Sequence, residues 1–165
     1  GRVLVDAHQR RQFTRFTGFK ACTLFSAGTF GQAGTDKDKQ QALYWYRKGA
    51  EQGDKDSQYD LGMKLKKGDG VPKSLSESAQ WFDKSAQQGQ MAAQFELAQM
   101  YGKGEGVRKD SVLAYAWYNV AIINGHYPAS KPRDELAKTM SADDIAEAEQ
   151  LSSMWKFGLP IERKE

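Results

Sequence analysis

Between residues 91 and 126 small and apolar side chains return at helical spacing. Ala93, Leu97, Ala98 and Tyr101 fall at i, i+4, i+5 and i+8. After a break containing Gly104 and Gly106, Ala114, Trp117, Tyr118 and Ala121 fall at i, i+3, i+4 and i+7. Each set draws one stripe down an α-helix, so the segment predicts a first helix (A), a glycine loop and a second helix (B). The Asn-Gly at 124–125 ends helix B, because glycine lets the chain leave a helix through positive φ.

The same pattern stands upstream at a fixed step. Trp45, Trp81 and Trp117 are 36 residues apart, as are Gly53, Gly89 and Gly125, and Gly34, Gly70 and Gly106. On that period GDGVPKSLSESAQWFDKSAQQGQ (68–90) lies over GEGVRKDSVLAYAWYNVAIINGH (104–126), and QYDLGMKL (58–65) over QFELAQMY (94–101). Helix A of the earlier unit carries Ser57, Leu61, Gly62 and Leu65; its helix B carries Ser78, Trp81, Phe82 and Ser85. Ser74 and Asp110 stand where a helix N-cap is needed. Neither helix can bury its stripe alone, so the units must stack. The aromatic residues are expected to be core; an aromatic cage for a ligand is the less supported use.

One unit further upstream is eroded. Ala42, Trp45, Tyr46 and Gly49 make a convincing helix B, but Ser26, Gln32 and Thr35 replace Gly62, Gly68 and Val71 in the part before it. Terminal units of stacked repeats are often atypical because one side faces water. That accounts for ACTLFSAGTF (21–30) better than a signal-peptide reading of the basic-then-apolar stretch 10–30. At the other end, Ser130 and Pro132 predict the opening of a helix of about eight residues, with Pro at its first position. Ser141 then caps a last helix, with Asp144 as a capping-box-like partner. Ile145, Ala148, Leu151 and Trp155 form its apolar stripe, and Gly158 and Pro160 stop it. The pair is expected to form a lid over the last unit.

Composition narrows the chemistry. Of 165 residues, 39% are hydrophobic, and the mean hydropathy of −0.72 is on the polar side for a globular chain. Net charge is +3, yet the first twenty residues hold Arg2, Arg10, Arg11, Arg15 and Lys20 against Asp6 alone. The repeats are therefore close to neutral, and no nucleic-acid partner is expected. Phe13, Phe16 and Phe19 among those arginines make a basic amphipathic segment that suits an anionic surface; a cap over the open edge of the first unit, or partly tag-derived sequence, is the simpler reading. The one cysteine, Cys22, excludes an internal disulfide and a thiolate metal cage, and no run is long enough to span a membrane. His8 and His126 lack metal-ligand spacing, a Cys22–His126 dyad would have to span two units, and the Gly-x-Gly loops lack the Lys-Ser/Thr of a phosphate loop. No catalytic residue, metal or cofactor is expected.

LGMKLKKGDGVPKS…WFDKSAQQG, LAQMYGKGEGVRKD…WYNVAIINGH and ALYWYRKGAEQGD resemble the Sel1-like repeat family, a relative of the tetratricopeptide repeats with a longer inter-helix loop. The resemblance covers residues 21–126, and RDELAKTMSADDIAEAEQL is similar to segments that close such bacterial solenoids. It implies an all-α, right-handed α/α solenoid of helix-loop-helix repeats with helical caps: a basic N-terminal cap or leader at 1–20, a degenerate repeat at 21–54, repeats at 55–90 and 91–126, and capping helices at 127–165. It further implies that helix A lines the concave face. On that face, opposite the inward Leu61, stand Tyr59, Asp60, Met63 and Lys67, and one unit on Phe95, Glu96, Gln99 and Lys103, the candidate partner contacts; Tyr59 and Phe95 also suit packing between units. The expected function is a non-enzymatic adaptor, inhibitor or assembly factor that binds another protein, the chain being a monomer on its own, with the bacterial envelope or periplasm favoured over the cytoplasm. The alternatives are a hydrolase, as in cysteine-rich β-lactamase-like relatives, or a lipid or nucleic-acid surface binder through the basic N-terminus. Those relatives carry a disulfide pair in each repeat, which Cys22 alone matches poorly.

Overall fold

The computed structural model describes residues 36–156, 160, 161 and 163. The basic segment 1–20, the helix A expected at 21–30 and Gly158 lie outside these residues. Seven α-helices and no strand are found among the described residues. They are α1 (Asp36–Glu51), α2 (Lys55–Lys67), α3 (Leu75–Gln87), α4 (Met91–Lys103), α5 (Ser111–Ile123), α6 (Ser130–Ala137) and α7 (Ala142–Lys156). Each of α1 to α4 packs on the next helix, and α5 packs on both α6 and α7. In the repeat, α2 and α4 are A helices; α1, α3 and α5 are B helices.

Short polar residues start α2, α3 and α5. Asp54 accepts from the Ser57 N–H at 2.8 Å, Ser74 from the Glu77 N–H at 3.3 Å, and Asp110 from the N–H groups of Val112 and Leu113 at 2.9 and 3.0 Å. Each bond satisfies a donor that the first helical turn leaves open. At the other end Gly68 and Gly104 turn the chain with φ of 76° and 74°, and their N–H groups donate to Lys64 O and Met100 O. Gly106 is required for closeness as well as conformation: a Cβ there would lie 2.3 Å from Leu75 O, so the loop of one unit rests on the start of α3 in the unit before.

The helical stripes fill the interior. Leu61, Leu97, Phe82, Trp117, Ala114 and Ala121 are all at most 1% exposed. Two amide side chains at equivalent positions stitch the units together. Gln58 and Gln94 donate to Ala50 O and Ala86 O at 3.1 and 3.0 Å, closing the gap back to the preceding B helix. Their own carbonyls accept from Gln88 and Asn124 at 2.8 and 2.9 Å. Buried amides are stable only when paired, and here the same pairing recurs one period later.

The C-terminal pair is a fourth unit that has lost its phase. A 3₁₀ turn, Tyr127–Ala129, runs straight into α6, and together they start where a fourth helix A would. Ala129 is fully buried, as is its equivalent Ala93. Leu97 and Ala98, however, give way to Arg133 and Asp134, which bond to each other at 2.7 Å while Arg133 also reaches Asn119. Charged residues in the packing positions stop the stack. Pro132 is the third residue of α6, not the first, because the 3₁₀ turn Tyr127–Ala129, with Pro128 as its second residue, has already set helical backbone before it. Ser141 caps α7 in the expected way, its hydroxyl donating to Asp144 at 2.8 Å while the Asp144 N–H returns at 3.1 Å. Ala148 and Leu151 of α7 join the same core as Trp117, and beyond the helix Ile161 is buried in that core too.

Candidate partner-binding face

The eight positions expected to face a partner divide by what their side chains touch. Tyr59 and Phe95 are packed inward. The Tyr59 ring meets Phe82 at a centroid distance of 5.8 Å, and Phe95 meets Tyr118 at 5.9 Å and His126 at 4.8 Å. Burial, then the charges of Glu96 and Asp60, raises the Tyr59 phenol above its usual range. Glu96 is engaged by Lys66 of the preceding unit at 2.6 Å, an ion pair whose two side chains are only 22% and 17% exposed. That pair ties α2 to α4.

The other five line two separate clefts. Asp60, Met63 and Lys67 border a small one of about 180 Å³ with Tyr46, Lys64 and Asp69. Lys64 lies over the Tyr46 ring at 5.3 Å and pairs loosely with Asp69 at 3.6 Å. The Asp60 carboxyl is raised to about 6, first by burial, next by Asp56. Gln99 and Lys103 border a larger groove of about 540 Å³ with Tyr118 of α5 and with residues of α6, among them Pro132 and Leu136. The involvement of α6 was not legible, since nothing in its own pattern says which helix it packs beside. The repeat period was the available signal, because it places residues 127–139 in the helix A position.

A third opening, beside the loop 107–110, is larger at about 990 Å³. Within it Arg163 pairs with Asp110 at 3.2 Å, and Arg163 also reaches Glu147 of α7 at 3.0 Å. Among the described residues no group of three His, Cys, Asp or Glu is gathered closely enough to hold a metal ion. No helix of these residues is long and apolar enough to cross a membrane.

A stack of two-helix units, interlocked at a fixed period and presenting unpaired positions on its A helices, defines an α-solenoid of the interaction-repeat class. The chain belongs to the Sel1 repeat family: the Sel1 repeat matches at residues 25–54, 55–90 and 92–126. Two solved structures support the same fold. One, described as the crystal structure of c5321, "a protective antigen present in uropathogenic Escherichia coli strains displaying an SLR fold", is 30% identical, with a TM-score of 0.81 over 90% of this chain and 32% of its own. The other, a Sel1 repeat protein from Oxalobacter formigenes, is 32% identical, with a TM-score of 0.56 over 57% of this chain and 39% of its own. The chain thus spans about a third of the length of these neighbours. A search of curated proteins gives no match. Sel1 repeats generally mediate protein–protein interaction, and their fold is typically a non-enzymatic scaffold.

Proposed function

We propose that this chain is a non-enzymatic module that holds a partner protein on the face formed by its A helices, as an adaptor, inhibitor or assembly factor does. The observation that carries this reading is a contrast within the repeat. Leu61 recurs as Leu97 and Trp81 as Trp117 in the packing stripes. On the A-helix face Lys67 recurs as Lys103, but Met63 gives way to Gln99, and the two clefts that these residues line differ in size and charge. In a solenoid, recognition lives in the residues that the repeat does not fix. Asp60, Met63, Lys67, Gln99 and Lys103 are the contacts of choice, since Glu96 is held by Lys66 and the rings of Tyr59 and Phe95 pack inside.

Affinity capture from the native source, followed by measurement on the purified partner, tests the face. Asp60→Lys, Lys67→Glu and Lys103→Glu together should weaken the complex by about tenfold or more at low salt. Binding unchanged in the triple variant would remove this face from consideration.

A further inference from the structure

The two clefts are the same feature of the repeat, two periods apart. Tyr46, Asp60, Met63, Lys64 and Lys67 of the first correspond in order to Tyr118, Pro132, Glu135, Leu136 and Thr139 of the second. Each lies where a B helix meets the following A helix. Between them the repeat has a third such position, with Phe82 in the place of Tyr118 and Glu96 in the place of Pro132. There Lys66 reaches across from α2 to Glu96 at 2.6 Å and bridges the two A helices. One unit later the bridge has been deleted at both ends, since Gly102 stands for Lys66 and Pro132 for Glu96. The groove between α4 and α6 is left open.

Its lining states what it can take. Gly102, Tyr118, Pro132 and Leu136 offer an apolar floor, and Lys103 and Lys131 stand on the rim. Among the described residues neither lysine has an ion-pair partner, whereas the rim carboxylate Glu135 is paired with Lys138 at 2.7 Å on the solvent side. We infer that this groove docks a short extended segment of a partner protein, with an apolar side chain seated over Tyr118 and Leu136 and flanking carboxylates paired to Lys103 and Lys131. The inference deepens the proposed function and rests on it: apolar burial supplies the affinity, and the two ammonium groups select against basic and uncharged sequences.

The test rebuilds the missing bridge. Gly102→Lys with Pro132→Glu copies the Lys66–Glu96 pair, and a Cβ at Gly102 would sit at an ordinary 3.7 Å from Ala114, so the fold should keep its circular dichroism and lose no thermal stability. Random dodecapeptides displayed on phage are selected against the whole wild-type chain, and enriched peptides are synthesised for fluorescence anisotropy. The expected result is a consensus of one large apolar residue flanked by Asp or Glu. Its affinity should fall by at least about tenfold in the bridged variant, and by a similar factor in Lys103→Glu/Lys131→Glu. Basic or charge-neutral consensus peptides, no enrichment, equal binding to the folded bridged variant, or self-association of the chain that the bridge abolishes would each overturn the inference. A captured partner that is lost on Asp60, Lys67 and Lys103 reversal yet binds the bridged variant normally would overturn the groove alone and leave the proposed function standing.

Discussion

The side-chain amide of Asn124 donates to the Gln94 carbonyl at 2.9 Å, repeating across one period the bond that Gln88 makes to Gln58. Gln94 is fully buried, and its own amide is spent on Ala86 O in the preceding unit. One side chain thus links three helices, α3, α4 and α5. Replacing it with an apolar residue of similar size takes one of two donors from Ala86 O, which keeps the Gly89 N–H at 2.9 Å, and leaves the Asn124 amide without its acceptor. Gln94→Leu is therefore expected to lower unfolding free energy by about 1–3 kcal/mol, read from urea denaturation followed by helical circular dichroism. A Gln94/Asn124 double-mutant cycle showing no coupling would refute the linkage.

Two helical glycines predict opposite signs. A Cβ on Gly62 would stand 2.7 Å from the Phe82 ring, which is fully buried and has no room to retreat. Gly62→Ala should overpack that contact and cost about 1–3 kcal/mol. Gly102 lies equally inside a helix but meets only Ala114 at 3.7 Å. Gly102→Ala should gain up to about 1 kcal/mol, because alanine loses less backbone freedom on folding. Thermal midpoints of the two variants moving in the same direction would contradict the packing described.

Trp81 and Trp117 occupy one repeat position and differ in surroundings. Trp117 is 1% exposed and shares its core with Ala148 and Leu151 of α7. Trp81 is half-buried at the edge of a smaller cluster with Ala50, Leu61 and Leu65, and Lys84 lies over its ring at 4.3 Å. Trp117→Ala should cost about 3–5 kcal/mol, and Trp81→Ala distinctly less. Denaturant midpoints decide the order; equal losses would mean that α7 does not cover α5 as described.

That difference marks how far the sequence can be taken. Trp81 and Trp117 are indistinguishable by period, and the stripe of Ser78, Phe82 and Ser85 is legible in the same way as that of Ala114, Tyr118 and Ala121. Helix order, caps and loop glycines follow from such local signals. What covers each stripe does not, because α7 sits on α5 through long-range packing that has no local signature. The same holds for the face. Outward positions of α2 and α4 were legible by their angle from Leu61, but Glu96 is engaged by Lys66 from the neighbouring unit, and the open groove appears only when α6 is placed beside α4. Ile161 and Arg163, which fold back onto the core and onto Glu147 and Asp110, carry no periodic signal at all.

Asp60 gives the face a pH dependence. Its carboxyl titrates at about 6, raised mainly by burial and then by Asp56 and Asp54, with Lys64 pulling it down. An aspartate in the unfolded chain titrates near 3.9. The folded state therefore holds the proton more tightly, and between about pH 4 and 6 stability falls as pH rises. Charged Asp60 is a cost at neutral pH that is relieved on acidification. Asp60→Asn should stabilise the chain at pH 7, by on the order of 1 kcal/mol because residual solvent exposure screens the group, and should change little at pH 4. Urea unfolding of both proteins at the two pH values measures this. An equal gain at both would show that the asparagine acts through packing and that the carboxylate charge is not the cause.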